Sequence, residues 1–311
     1  MTLTLTCSSL AETERLGESL AMALRVGDLI TLEGPLAAGK SALARACIRA
    51  ALGDPAVEVP SPTFTLVQTY APSSPPRIDH LDLYRLSDPQ ELDELGLDEA
   101  LAEGAALVEW PSKGALPDPA LAIAISMGAE DARKITIDGP ALPRLQRSLA
   151  LRAFIDNAGH AADARAHLTG DASTRRYEIV GSAKHVLMDA PPQADGDPLP
   201  GFGVPYSRIA HLAEDTLPFA AVAHALTAAG FAAPYIFAAE LVQGFLLMEN
   251  LGSAQIIDTD RQPIPDRYIA SAQVLAALHA KTWAPQMPVP GTDHIHNVPA
   301  FDHRAMMIEV S

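Results

Sequence analysis

Apolar positions in the first 138 residues switch repeatedly between helical and strand spacing. Ser9 and Glu12 have the separation of a capping box, and Leu16, Leu20 and Leu24 follow at helical intervals. Gly27-Asp28 closes that helix, and Leu29–Leu32 predicts a short buried strand. A glycine-bearing loop covers Gly34–Ser41, and a helix follows to about Leu52, closed by Gly53. Ser61–Tyr70 carries strand formers between Pro60 and Pro72, and Arg77–Leu86 alternates as a strand does. Ser87 and Gln90 open another helix, with Pro89 in its first turn. Ala105–Val108 is a third apolar run, ending at Glu109. Ala120–Ser126 and Arg133–Asp138 alternate again and predict a hairpin at the sheet edge.

The pattern restarts after a Gly-Pro-Ala-Leu-Pro stretch at 139–143, read as part of a linker over 139–147. A helix to about Asn157 comes next. Thr174–Val180 and His185–Met188 predict strands either side of Gly181-Ser182, and a Pro/Asp/Gly-rich loop spans Pro191–Pro205. Beyond it the pattern predicts a helix over Pro218–Ala229, a strand pair over Tyr235–Met248 and a helix over Tyr268–Lys281. Trp283–Phe301 reads as loop, and a helix begins near Asp302.

The 311 residues suit two domains, and 48% apolar with 19% charged residues is enough for buried cores. The net charge of −16 changes the picture more. Such a chain is repelled by phosphate backbones, so DNA binding is not expected and RNA is expected only through a partner. No leader-like start and no 18-residue apolar run is found, so no membrane association is expected. The two cysteines, Cys7 and Cys47, form no disulfide framework and fit a reducing cytoplasm. Cys47 reads as core. His160 and His167, with Asp163 between them, have no matching ligand cluster and read as helix surface.

The chemistry concentrates at Gly34-Pro35-Leu36-Ala37-Ala38-Gly39-Lys40-Ser41, which fits the phosphate-loop pattern G-x-x-x-x-G-K-[ST]. Gly34 permits the tight turn after the strand, and Gly39 lets backbone N–H groups approach phosphate oxygens. Lys40 places a charge on the β and γ phosphates of a nucleoside triphosphate, Ser41 supplies a hydroxyl for Mg²⁺, and the next helix aims its positive end at the phosphates. The chemistry also needs a carboxylate near the metal. Glu109, ending an apolar strand, is one candidate, with a solvated strand end as the alternative. Asp82 shares a strand face with His80 and Tyr84 and is the second candidate, with a plain solvated face as the alternative. Ser61-Pro62-Thr63-Phe64-Thr65 has the hydroxyls of a γ-phosphate-sensing loop.

With these motifs in view, residues 5–138 resemble the TsaE-type ATPase of bacterial tRNA threonylcarbamoyladenosine biosynthesis. The resemblance rests on GPLAAGKS at 34–41, SPTFTLV at 61–67, HLDLYRL at 80–86, ELGLDEAL at 94–101 and VEWP at 108–111, in that order. It implies a P-loop ATPase domain over 1–138, of α/β class with a central, mostly parallel sheet. It implies ATP and Mg²⁺ as cofactors, with Lys40 on the phosphates and Ser41 and Glu109 at the metal. Thr63 belongs to the sensing loop, Asp82 aids catalysis or water positioning, and Trp110 lies near the nucleotide. The implied partner is a two-protein threonylcarbamoyl transferase complex of TsaB/TsaD type, with tRNA met only indirectly. Ala37 stands where the family usually has glycine, which predicts a stiffer loop or weaker nucleotide binding. Ser41 replaces the commoner threonine and keeps the hydroxyl.

Residues 148–311 resemble the N-terminal lobe of an aminoglycoside-phosphotransferase-type sugar kinase, closest to kinases of N-acetylmuramate and N-acetylglucosamine. The motifs are GDASTRRY at 170–177, VLMDAPP at 186–192 and FLLMENLG at 245–252. The resemblance implies an α+β lobe, with the first motif as the turn over the phosphates. Gly170 is the one glycine there, Ser173 and Thr174 are further candidates to approach phosphate, and Arg175 and Arg176 either add charge or sit on a solvated strand. Met188 and Asp189 occupy the stretch where kinases place a lysine, and Lys184 precedes it. No His-Gly-Asp-type loop follows. The sequence ends about where the second lobe should start, so sugar phosphorylation is not expected.

Overall fold

A computed structural model describes residues 2–73, 76–86, 88–168, 175–182, 184–213, 215–300 and 302–308. The chain divides into two compact units, Met1–Ala172 with Tyr177–Ser182, and Ser173–Arg176 with Ala183–Ser311.

In chain order, the first unit contains β1 (Leu3–Cys7), α1 (Leu10–Ala23), β2 (Leu29–Glu33), α2 (Lys40–Leu52), β3 (Val67–Tyr70), β4 (Arg77–Asp82), α3 (Leu97–Glu103) and β5 (Gly104–Glu109). It continues with β6 (Leu121–Met127), β7 (Arg133–Asp138), α4 (Leu142–Ile155), β8 (Arg165–Leu168) and β9 (Arg176–Val180). The first seven strands form one sheet in the order β1-β7-β6-β2-β5-β4-β3. Its centre, β6-β2-β5-β4, is parallel, and antiparallel strands flank it on both sides. The α/β expectation therefore holds, but the β6–β7 hairpin is not the edge. β1 pairs outside β7, with Leu3 opposite Ile137. β1 is absent from the expected elements because its alternation is only five residues long and its partner lies 130 positions away.

Period-2 alternation decides the layers. Ile30, Leu32, Ile78, Leu107, Ile123 and Ile137 face α1 and α2, while Leu29, Leu81, Ala106 and Val108 face Leu92 and Leu97 on the other side. Full burial of each large side chain is worth about 1.5–3 kcal/mol. Ser9 caps α1 as expected, its Oγ accepting from the Glu12 N–H at 3.2 Å. α1 and α2 pack at Gly17, where an added Cβ would collide with Cβ of Ala46.

The expected linker at 139–147 contains the start of a helix. Pro143 lies in the first turn of α4, where its missing N–H costs nothing. Leu142 and Leu145 are buried in the main core. Arg144 pairs with Asp28 at 2.7 Å and Arg152 with Glu18 at 3.2 Å, fastening α4 to the preceding layers. His160 Nδ1 lies 2.7 Å from Asp163 in the turn after α4, and β8 pairs antiparallel with β9. Arg165 bridges to Glu178 across that pair at 2.7 and 3.0 Å, fully buried.

The second unit contains β10 (His185–Asp189), α5 (Tyr206–Ile209), α6 (Leu217–Ala228), β11 (Ile236–Glu240), β12 (Phe245–Glu249) and α7 (Pro265–His279). It closes with β13 (Gln286–Pro288), β14 (Ile295–Asn297) and α8 (His303–Ile308). β12 runs antiparallel to both β10 and β11. The stretch expected as loop after Trp283 carries the β13–β14 hairpin, whose Met287 packs with Ala220 and Ala221 of α6.

Candidate functional site

Four parallel strands end at one edge, and the loop after β2 lies there. Gly34 has φ +150°, and a Cβ on it would strike the Ile125 carbonyl of β6. Gly39, the N-cap of α2, has φ +111°, also accessible in practice only to glycine. Between them Ala37 sits at φ +60°, so the residue that departs from the usual glycine carries left-handed strain.

A cavity of about 420 Å³ opens beside this loop. It is lined by Leu36 to Ala42 together with Ser61, Thr63, Asp82, Tyr84, Glu109 and Trp110. Of the 34–41 loop and the candidates Thr63, Asp82, Glu109 and Trp110, all line it except Gly34 and Pro35. Those two contribute carbonyls that accept from Lys40 Nζ at 2.8 and 3.0 Å. A cavity of about 450 Å³ elsewhere in the first unit, beside Glu14, Arg45 and Arg49, has no comparable convergence. Of the three arginines that line it, Arg45 and Arg49 already donate to the carbonyls of Val59 and Val57, and Arg165 to the Glu178 carboxylate.

Lys40, Asp82 and Glu109 are buried, each 4% exposed or less. Burial pulls the Lys40 ammonium below its usual range, against the upward pull of Glu109, Glu33 and Asp82. Its Nζ sits 3.7 Å above the Trp110 ring, which in turn leans on Tyr84 at 5.0 Å. Trp110 has φ +59°, an outlier for a bulky residue that turns its ring onto the loop.

Glu109 ends β5, and one of its oxygens accepts from Ser41 Oγ at 2.9 Å. Asp82 ends β4 in register with Glu109. One Asp82 oxygen accepts from Ser61 Oγ at 2.8 Å and from Thr63 Oγ1 at 2.7 Å, and the other accepts the Tyr84 N–H at 3.0 Å. Of the stretch Ser61–Tyr70 that carries strand formers, residues 61–66 are a loop that folds onto Asp82, and strand begins only at Val67. Leu66, at φ +65°, reverses the chain and bonds back to Pro62.

Among the described residues no group of three or more His, Cys, Asp or Glu could hold a metal ion alone. A hydroxyl and a carboxylate at bonding distance, with phosphate oxygens and water completing the shell, suit Mg²⁺, a hard ion that keeps several waters. The surplus of buried carboxylates over ammonium here fits a cation.

Sequence reasoning overlooked Arg133. Its Nε donates to the Ala38 carbonyl at 2.8 Å, bracing the loop from β7. Only the β6–β7 register brings it there, so no local pattern announced it. His80 had a signal, the strand face it shares with Asp82. It is fully buried against Glu109. Cys47 is core, and burial pushes its thiol far up. Of the second-half candidates, Gly170, Ser173 and Thr174 lie outside the described residues. Arg175 precedes β9 and Arg176 begins it, while Lys184 precedes β10 and Met188 and Asp189 end it.

The family model described as threonylcarbamoyl adenosine biosynthesis protein TsaE matches residues 7–135, and that of the phosphotransferase enzyme family matches 165–298. The tRNA threonylcarbamoyladenosine biosynthesis protein TsaE of Rickettsia conorii is 43% identical over 105 residues, 34% of this chain and 59% of that protein. The protein of the same name from Rickettsia felis is 38% identical over 128 residues, 40% of this chain and 74% of that protein. The crystal structure of Bacillus subtilus YdiB is similar over 47% of this chain and 95% of that one, at 28% identity and a TM-score of 0.40. Phosphate loop, carboxylate-ended strands and relatives converge on the same stretch of sequence, and through it the chain belongs to the TsaE family.

Proposed function

We propose that this chain binds and hydrolyses ATP with Mg²⁺ at the 34–41 loop. In this reading it serves threonylcarbamoylation of the adenosine beside the tRNA anticodon, by acting on a two-protein threonylcarbamoyl transferase complex of TsaB/TsaD type. The tRNA is met only through that complex, which agrees with the net charge of −16. The names of the relatives place them in this biosynthesis. The observation that carries the reading is one cavity where Lys40, Ser41, Asp82 and Glu109 meet beside a helix N-terminus.

The residues divide the work by position. Lys40 leaves the carbonyls of Gly34 and Pro35 to contact the β and γ phosphates, a gain for a buried ammonium that burial disfavours. Backbone N–H groups from Leu36 to Ser41 line the phosphate cradle. Ser41 Oγ and Glu109 would hold Mg²⁺, and the ion would supply charge neutralisation for the phosphates. Asp82 orients the attacking water, and the hydroxyls of Ser61 and Thr63 on it link that carboxylate to the sensing loop. Trp110 walls the site and shields Lys40.

No helix among the described residues is long and apolar enough to cross a membrane, in keeping with a proposed cytoplasmic site of action. The deciding experiment is ATP hydrolysis by the purified chain with and without the two-protein complex. The rate should rise on addition, and an unchanged rate would remove the partner from this reading.

The phosphotransferase match over 165–298 favours a kinase-like lobe for the second half, proposed over 148–311 although α4 and β8 belong to the first compact unit. Without a His-Gly-Asp-type loop in it, these residues are not expected to phosphorylate N-acetylmuramate or N-acetylglucosamine. Robust phosphorylation of either sugar by this chain would overturn that expectation.

A further inference from the structure

His80 lies on interior strand β4, opposite Leu107 of β5. Leu107 and Glu109 share a strand face, so His80 looks diagonally onto the Glu109 carboxylate. The contact is close: Nε2 of His80 lies 3.0 Å from one Glu109 oxygen, while the other accepts from Ser41 Oγ at 2.9 Å. The imidazole is fully buried, and its Nδ1 has no partner among the described residues. An ionised carboxylate only accepts, so a neutral ring bonds to it only by donating from Nε2. With the second oxygen on Ser41, the carboxylate is pinned at both ends.

We propose that His80 is a positioning residue for the magnesium site, holding Glu109 by an Nε2–H···Oε1 bond so that its other oxygen faces Ser41. The proposal rests on the ATP reading above. His80 does not line the cavity and acts through Glu109. Asp82 is held differently, by two hydroxyls and a backbone N–H from loops. The carboxylate beside Ser41 is thus fixed by a buried strand residue, and the one facing Thr63 by loop hydroxyls and a backbone N–H. A histidine that merely fills core would need no particular tautomer, and an isosteric apolar ring would replace it.

Two measurements on the full chain test this. Nitrogen-15 NMR of the wild-type imidazole should find a proton on Nε2 of His80, and an Nε2 without a proton would overturn the inference. Binding of a non-hydrolysable ATP analogue should then be followed across magnesium chloride concentrations. His80→Phe, which fills the space without a donor, should need roughly 10–100 times more Mg²⁺ than wild type, the usual cost of losing a bond to a metal-ligating carboxylate. His80→Gln, whose amide places an N–H where Nε2 was, should recover most of that loss. An unchanged Mg²⁺ requirement in His80→Phe, or a His80→Gln chain as impaired as His80→Phe, would overturn the inference. The tautomer is read on the wild type and decides the matter even if His80→Phe fails to fold. A wild-type chain that binds no analogue at any Mg²⁺ concentration would instead bring down the ATP reading and this inference with it.

Discussion

In the first unit, Lys40, His80, Asp82 and Glu109 are all buried beside one cavity, and each has a named partner within 3.0 Å. In the second unit, the buried polar side chains among the described residues are Asp189, at the end of β10, and Thr216, which precedes α6. The second unit's buried strand β12 is Phe-Leu-Leu-Met, and its longest helix, α7, has no buried residue. Burying a charge costs several kcal/mol unless partners compensate. A fold that gathers four ionisable groups into one place therefore meets that cost for a reason other than stability, and such clusters mark working sites. The second unit does not gather charge in this way. The contrast separates a region organised around a ligand from one organised, in its described residues, around packing.

The hardest test of this contrast is Lys40→Ala. Removing one partner of a buried charged contact costs about 2–5 kcal/mol, so calorimetric titration with ATP should show affinity down roughly 30-fold or more. ATP binding at the wild-type level in that variant would put the nucleotide somewhere else and break the contrast outright. Next in size is Gly17→Ala, which forces a methyl into the α1–α2 contact. Overpacking of that kind costs about 1–3 kcal/mol. The loss should appear in denaturant unfolding followed by Trp110 emission in a Trp283→Phe background, which reports the first unit. A Gly17→Ala chain as stable as its parent would show that the helix layer beneath the phosphate loop yields easily.

Ala37→Gly works in the opposite direction. Relieving a left-handed alanine should stabilise the first unit by up to about 1 kcal/mol in the same unfolding measurement. A loss of stability would mean that Ala37 makes contacts worth more than its strain. The smallest effect concerns Cys47. Its buried thiol, pushed far above the usual range, should resist iodoacetamide in the folded chain at about pH 8.5, where an ordinary thiol is half ionised. Unfolding should expose it to alkylation. Ready labelling of the folded chain would indicate that the core beneath α2 opens.

Much of the site was legible along the chain because its parts obey local rules. The 34–41 loop is contiguous, its glycines sit where positive φ is needed, and Glu109 ends an apolar run as a sheet-edge carboxylate must. The segment 61–66 carries strand formers, Thr63, Phe64 and Thr65, beside the hydroxyls of a sensing loop, and composition alone does not choose between the two. The Asp82 carboxylate, 15 or more positions downstream, recruits its hydroxyls and bends it into a loop. The expected linker at 139–147 failed for a related reason. Gly139 and two prolines look like punctuation, yet one proline fits the first turn of a helix whose next residues pack into the core.

By itself, the sequence determined what needs only neighbours: the phosphate loop and its glycines, the capped helix that opens at Ser9, and the buried central strands. The tertiary structure alone decided which distant groups meet. It added β1 at the sheet edge, brought Arg133 onto the Ala38 carbonyl across 95 positions, and placed His80 against Glu109 across 29. The physical reason is register. Strand pairing fixes side chains to within a residue across any distance in sequence, and nothing in a local pattern states which strand pairs with which.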